Sequence, residues 1–236
     1  MATLEEVTKR RDVISDLIEK KDYVKVSKKL KELNFTREVV PPYYSVKEVV
    51  LPFVRFRGVD ILLGPEMKST GEVMGIDADF GLAFAKAQMA ASSTLPLKGT
   101  VFVSVKDRDK KALVPIAKAL IELGFKLVAT QGTADVLKAN GIPADPLKKI
   151  KEGSPNVTDL IQASKLDWVI NTPAGEKPRQ DEIVIRSLAV SRGVPCVTTM
   201  EGALASVLGI QAMKQKTMKA ESLQDYHETM MLPTVA

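Results

Sequence analysis

Small donor side chains recur at one kind of place in this sequence, directly after an apolar run. VFVSVKD carries Ser104 and Lys106, with Lys110 four residues on, and LVATQGT carries Thr130, Gly132 and Thr133. PLKK supplies Lys148 and Lys149, WVINT supplies Asn171 and Thr172, and PCVTT supplies Thr198 and Thr199. Hydroxyls, an amide and ammonium groups with no opposing carboxylate suit an anion. A helix opening at Gly132-Thr133 would add exposed N–H groups and the positive end of its dipole. Without a Cβ at Gly132 a ligand can approach the backbone. TQGT is therefore expected to be a phosphate cradle, with Lys110 or Lys149 supplying charge.

The same set is poor in catalytic groups, since general acid–base chemistry needs a carboxylate, histidine or cysteine poised in the cleft. The one histidine, His227, falls in the tail QDYHETM and is expected at the surface. Cys196, the one cysteine, sits in an apolar strand, where a small core hydrophobe is expected. Alone it makes neither an intramolecular disulfide nor a multi-cysteine metal site. Asp181 and Glu182 open a helix, where acids complement the dipole. No catalytic residue and no metal ligand is assigned.

Positioning these groups requires regular elements. From Gly99 onward, strands are expected at 100–105, 125–130, near 143–147, at 167–172 and at 195–199. Helices are expected at 112–124, 133–141, 156–165, 181–193 and 202–214, the first ending on Gly124 as a C-cap. Apolar strands separated by helices specify right-handed crossovers and a parallel five-stranded sheet covered on both faces, a doubly wound α/β fold of Rossmann type. Ligands then sit beyond the carboxyl ends of the strands, where the donor groups fall. Upstream, Leu4, Val7, Val13, Ile14, Leu17, Ile18, Leu30 and Leu33 place one or two amphipathic helices in 4–33. Pro41-Pro42 ends them. YYSVKEVVLPFVRF is expected to be extended, with Glu48 either facing solvent on an edge strand or contacting a ligand or partner. The glycine-rich 58–77 is turn-rich, and Asp79 should cap a helix at 80–92 whose Phe80, Phe84, Ala87 and Ala91 share a face. SSTLPLKG reads as a linker. The expected organisation is 1–33 helical, 34–92 a small α+β piece, 93–98 the linker and 99–236 the α/β domain.

The 236 residues are 45% hydrophobic and 27% charged, with a net charge of +5. These are globular values. Only KVSKKLKEL and PLKKIKEG are locally basic, which fits small phosphorylated ligands better than a nucleic-acid duplex. No apolar run reaches a membrane span of roughly 18 residues, and the N-terminus has no signal-peptide core. With one cysteine, a reducing, cytoplasmic setting is expected.

PPYYSVKEVVLPFVRFRGVDILLGPEMKSTGEVMG (41–75), the FAKAQ helix and the domain running through INTPAG closely resemble the C-terminal end of the carbamoyl-phosphate synthase large subunit. The match covers about 30–230, and GPEMKSTGEVMG is its most specific stretch. The resemblance implies the last strands and helix of the second ATP-grasp unit, followed by a methylglyoxal-synthase-like allosteric domain, in an enzyme of pyrimidine and arginine biosynthesis. It implies that Lys110, Thr130, Thr133, Lys149 and Asn171, around Gly132, take the phosphate and ribose of a uridine or inosine monophosphate effector. It also implies that Glu48 and Thr198 belong to an ornithine site. Where the family often has a second threonine, this chain has Pro173, which removes a donor.

The family's Mg-ATP ligands lie upstream of the matching region, so no cofactor is expected in this chain and, alone, it should not make carbamoyl phosphate. An excised piece, a gene remnant and one half of a split synthetase all fit. The first 30 residues depart from the family, which favours a separate start. The implied partners are the effector, the remaining synthetase portion and a glutaminase subunit, with a homo-oligomer left open. The alternatives are a methylglyoxal-synthase-type lyase acting on a triose phosphate and a structural remnant without ligand.

Overall fold

The computed structural model describes residues 16, 18–32, 41–55, 60–62, 68–173 and 180–229. Leu4, Val7, Val13, Ile14, Leu17, Leu33, Gly58, Gly64 and the end of INTPAG lie outside the described residues, as does the His227 side chain. The chain forms two compact units, Met1–Pro41 and Pro42–Ala236.

In the first unit, α1 (Tyr23–Glu32) buries no residue. It is held by local polar contacts. Asp22 Oδ1 accepts from the Lys25 amide at 3.2 Å, and Lys29 pairs with Glu32 at 3.1 Å. Such exposed pairs contribute a few tenths of a kcal/mol each.

The second unit opens with an antiparallel hairpin, β1 (Tyr44–Val50) against β2 (Gly71–Asp77), in which Glu48 lies opposite Val73. After β1 the chain does not stay extended but makes a 3₁₀ turn at Phe53–Arg55. As expected, Asp79 caps the next helix, α2 (Phe80–Ala90), its carboxylate accepting from the Leu82 amide at 3.1 Å. Lys216 reaches the same carboxylate at 2.6 Å and holds its pKa below the usual aspartate range. The burial of α2 is broader than one face predicts. Gly81, Leu82, Ala83, Ala85 and Ala87 are all buried, because the helix is packed on two sides.

Those two contacts are built from glycines. A Cβ on Gly75 of β2 would lie 2.0 Å from the Ala83 carbonyl oxygen and 2.5 Å from the Ala87 amide nitrogen, so strand and helix touch backbone to backbone. A Cβ on Gly81 would lie 2.5 Å from the carbonyl of Leu208, which belongs to α7 (Met200–Gln215). The expected linker at 93–98 thus joins two parts that pack directly on each other, and all of Pro42–Ala236 forms one compact unit.

The remaining elements are β3 (Thr100–Ser104), α3 (Lys110–Glu122), β4 (Lys126–Thr130), α4 (Gln131–Ala139), β5 (Asp145–Leu147), α5 (Val157–Gln162), β6 (Trp168–Asn171), α6 (Gln180–Ser191) and β7 (Cys196–Val197), the last followed by α7. The five strands are parallel in the order β5-β4-β3-β6-β7. Alternation along them separates two cores. Val101, Val103, Leu127, Ala129, Trp168 and Ile170 pack with α3, α4 and α7, whereas Phe102, Val128 and Val169 pack with α5 and α6. Each fully buried aliphatic side chain contributes about 1.5–3 kcal/mol of gross burial energy. Gly124, at φ +86°, ends α3 as expected.

The tail holds a helix that periodicity did not reveal, α8 (Leu223–Thr229). Tyr226, 5% exposed, donates from its hydroxyl to the Ile76 carbonyl of β2 at 2.7 Å and accepts from Lys86 at 2.9 Å. Its ring lies 6.2 Å from that of Tyr43. Among the described residues, no helix is long and apolar enough to cross a membrane.

Candidate functional site

The strand order sets where a site can form. From β3 the chain winds to one side through β4 and β5, then returns to the other side for β6 and β7. A crevice opens beyond the strand ends at such a switch point. A cavity of about 840 Å³ occupies it, within the range usual for small-molecule sites. Of the sequence-predicted groups, Ser104, Lys106, Lys110, Thr130, Gly132, Thr133, Lys148, Lys149 and Thr172 all line it.

Their hydroxyls form a chain. Thr130 Oγ1 lies 3.3 Å from Ser104 Oγ and 3.4 Å from Thr133 Oγ1, which accepts from the Val105 amide at 3.5 Å. Thr133 is only 1% exposed, so it supports Thr130 from beneath the floor. Helix α4 begins at Gln131, two residues before the expected position, with Thr130 at its N-cap. A Cβ on Gly132 would sit 3.3 Å from Lys110 Nζ, which places this ammonium over the glycine at the helix N-terminus. Pro173 lies on the cavity wall.

Two expectations require correction. The cleft is not free of carboxylates, because Asp107, Asp181 and Glu182 line it beside the five cations Lys106, Arg108, Lys110, Lys148 and Lys149. Asp107 pairs with Lys110 at 2.7 Å, but Asp107 is 96% exposed, so this pair contributes at most about 1 kcal/mol. Asp181 and Glu182, assigned to the helix dipole alone, also reach the cavity. Asn171, expected among the ligand donors, is instead consumed by the protein. It is 1% exposed, donates from Nδ2 to the Ser104 carbonyl at 3.0 Å and accepts at Oδ1 from Arg186 at 2.8 Å. Thr172 is likewise engaged, accepting from the Lys106 amide at 3.1 Å.

Sequence reasoning passed over Arg186 and Asp60 altogether. Arg186 is fully buried and donates from Nε and Nη2 to the two carboxylate oxygens of Asp60 at 2.7 and 2.5 Å. Cys196 lies near this pair. Burial pushes its thiol up to about 12, with Arg186 lowering and Asp60 raising it, so at neutral pH it stays an inert thiol.

Glu48 and Thr198 do not line the cavity. Glu48 is half-buried and accepts from Gln88 Nε2 of α2 at 2.9 Å. Burial raises its pKa above the ordinary 4.5, against the opposing Val49 amide and Gln88 bonds. A carboxyl whose folded pKa is raised stabilises the fold in its protonated form and loses that contribution as pH climbs through the folded value. Glu48→Gln should therefore match the wild type in melting temperature near pH 4 and slightly exceed it at pH 7. Equal differences at both pH values would contradict this. Among the described residues, no group of three or more His, Cys, Asp or Glu side chains could hold a metal ion.

The MGS-like domain family matches residues 112–198, within this α/β domain. The chain is 51% identical over 199 residues to the carbamoyl phosphate synthase large chain of Nostoc sp., covering 84% of this chain and 18% of that one. It is 50% identical to the large chain of Archaeoglobus fulgidus, over 86% of this chain and 19% of that one. It is 49% identical to the arginine-specific chloroplastic large chain of Oryza sativa, over 85% and 17%. Methylglyoxal synthase from Elizabethkingia anophelis superposes with a TM-score of 0.41 at 16% identity, over 59% of this chain and 96% of that one.

The fold and the match to residues 112–198 define an MGS-like α/β domain. With its hairpin and α2, the chain is a relative of the carbamoyl phosphate synthase large chains, matching their C-terminal region. It spans less than a fifth of the length of these curated relatives.

Proposed function

We propose that this chain is the regulatory portion of a carbamoyl phosphate synthase large chain, and that the cavity beyond β3, β4 and β6 takes the phosphate of a nucleoside monophosphate effector of the uridine or inosine class. The observation that carries this reading is the convergence of five cations, the Ser104–Thr130–Thr133 hydroxyls and the Gly132 helix start on one cavity. Lys110 and Lys149 supply charge, Thr130 a hydroxyl and Gly132 an open backbone, while Asn171 acts by fixing Ser104. Glu48 and Thr198 make a second, ornithine-like contact region. Such a chain would act beside the rest of a synthetase and its glutaminase subunit, in pyrimidine or arginine biosynthesis, and would change activity by a coupling of about 1–3 kcal/mol.

Calorimetric titration with uridine monophosphate, inosine monophosphate and inorganic phosphate tests it. Saturable binding that weakens with salt is expected. Lys149→Ala should weaken it roughly tenfold or more, the worth of one charge-assisted hydrogen bond. No binding, or binding indifferent to Lys149, would overturn the reading. The carboxylates Asp107, Asp181 and Glu182 keep a lyase in view, and phosphate release from a triose phosphate would establish that alternative instead.

A further inference from the structure

We infer that Asp60, Arg186 and Asn171 form a relay that couples anion occupancy of the cavity to the chain around Asp60. The inference rests on the cavity reading above and deepens it. Desolvating a guanidinium costs several kcal/mol, so one without exposed surface must have its donors taken. Arg186 is shared among acceptors from three parts of the chain. Asp60, which follows β1, takes the planar fork at Nε and Nη2. Asn171, at the end of central β6, takes Nη1 at 2.8 Å. Glu182, in the first turn of α6, lies 3.8 Å from the same Nη1.

Two of these three acceptors connect to the cavity. Glu182 lines it directly, and Asn171 holds the carbonyl of Ser104, another lining residue. Asp60 stands apart from it. An anion entering beside Glu182 makes the local potential more negative and strengthens the pull between that carboxylate and the Arg186 guanidinium 3.8 Å away, whatever else Glu182 contacts. Shortening 3.8 Å to a hydrogen bond takes a shift of about 1 Å. Because the guanidinium is rigid and planar, drawing on Nη1 turns the fork that holds Asp60. A close-packed surround passes that displacement on rather than absorbing it. The relay therefore requires a second arrangement beside the observed one centred on Asp60, with the guanidinium drawn toward Glu182 when an anion is bound.

Hydrogen exchange of the full chain with and without inorganic phosphate tests the relay, following peptides that contain Asp60–Leu62 and using β2 as reference. Saturating phosphate should speed exchange around Asp60 several-fold and leave β2 unchanged. Asp60→Asn and Arg186→Lys should abolish that response while phosphate still binds, and Asp60→Asn should tighten phosphate about fivefold, since coupling is reciprocal. If the variants fail to fold, the wild type decides alone. Saturable phosphate binding without a change around Asp60 overturns the relay but not the cavity, as does a response that survives in Asp60→Asn. No phosphate binding at all overturns both.

Discussion

Replacing Gly75 with alanine should lower the stability of the Pro42–Ala236 unit by about 3 kcal/mol or more, the upper range for overpacking a tight contact. The added methyl would meet the Ala83 carbonyl at 2.0 Å and the Ala87 amide at 2.5 Å, and both are backbone atoms that cannot rotate away. Relief requires β2 and α2 to move apart. That would also disturb α2 against α7, where Gly81 is close to the Leu208 carbonyl. For a unit of this size the melting temperature should fall by about 6–12 °C. Gly71, on the same strand with nothing within 4 Å of its virtual Cβ, supplies the control, and Gly71→Ala should stay near the wild type. Equal melting temperatures for the two variants would refute the close contact.

Arg186→Ala should be costlier still, about 3–5 kcal/mol, because it leaves the partner charge without compensation. Asp60 would lose both donors of a bidentate pair, and Asn171 would lose the donor to Oδ1. The expected fall in melting temperature is about 6–20 °C. Arg186→Met combined with Asp60→Leu should recover most of the loss, since replacing both members of a buried pair by apolar groups is close to neutral. A double variant that is as unstable as the sum of its singles would show that the two residues act independently.

The α/β order was legible because each strand is a short apolar run and each helix keeps its period. The clustering of Ser104, Thr130, Gly132 and Thr133 followed from the rule that parallel strands present their carboxyl ends together. The roles of Asn171, Asp181 and Glu182 were not legible. An asparagine at a strand end looks like a ligand donor until a buried arginine claims it, and that arginine comes from a helix one crossover later. A signal existed in IVIRSLAV, where Arg186 is the single charge in an apolar helical run, and in GVDILL, where Asp60 is the single acid. Each is half of a pair separated by 126 residues, which periodicity cannot join. Tyr226 was hidden for the same reason.

That tyrosine has a consequence for how the protein is made. A two-stranded hairpin is marginal in water by itself, and this one is completed by a hydroxyl that reaches Ile76 from 150 residues later in the chain. The residues synthesised first in the unit, β1, β2 and α2, must wait for α7 and α8, which are made only after the whole parallel sheet. At ordinary elongation rates that wait is on the order of ten seconds. For that interval the small-residue faces of α2 remain open to solvent and to chaperones, and the unit closes only once α7 and α8 have been made.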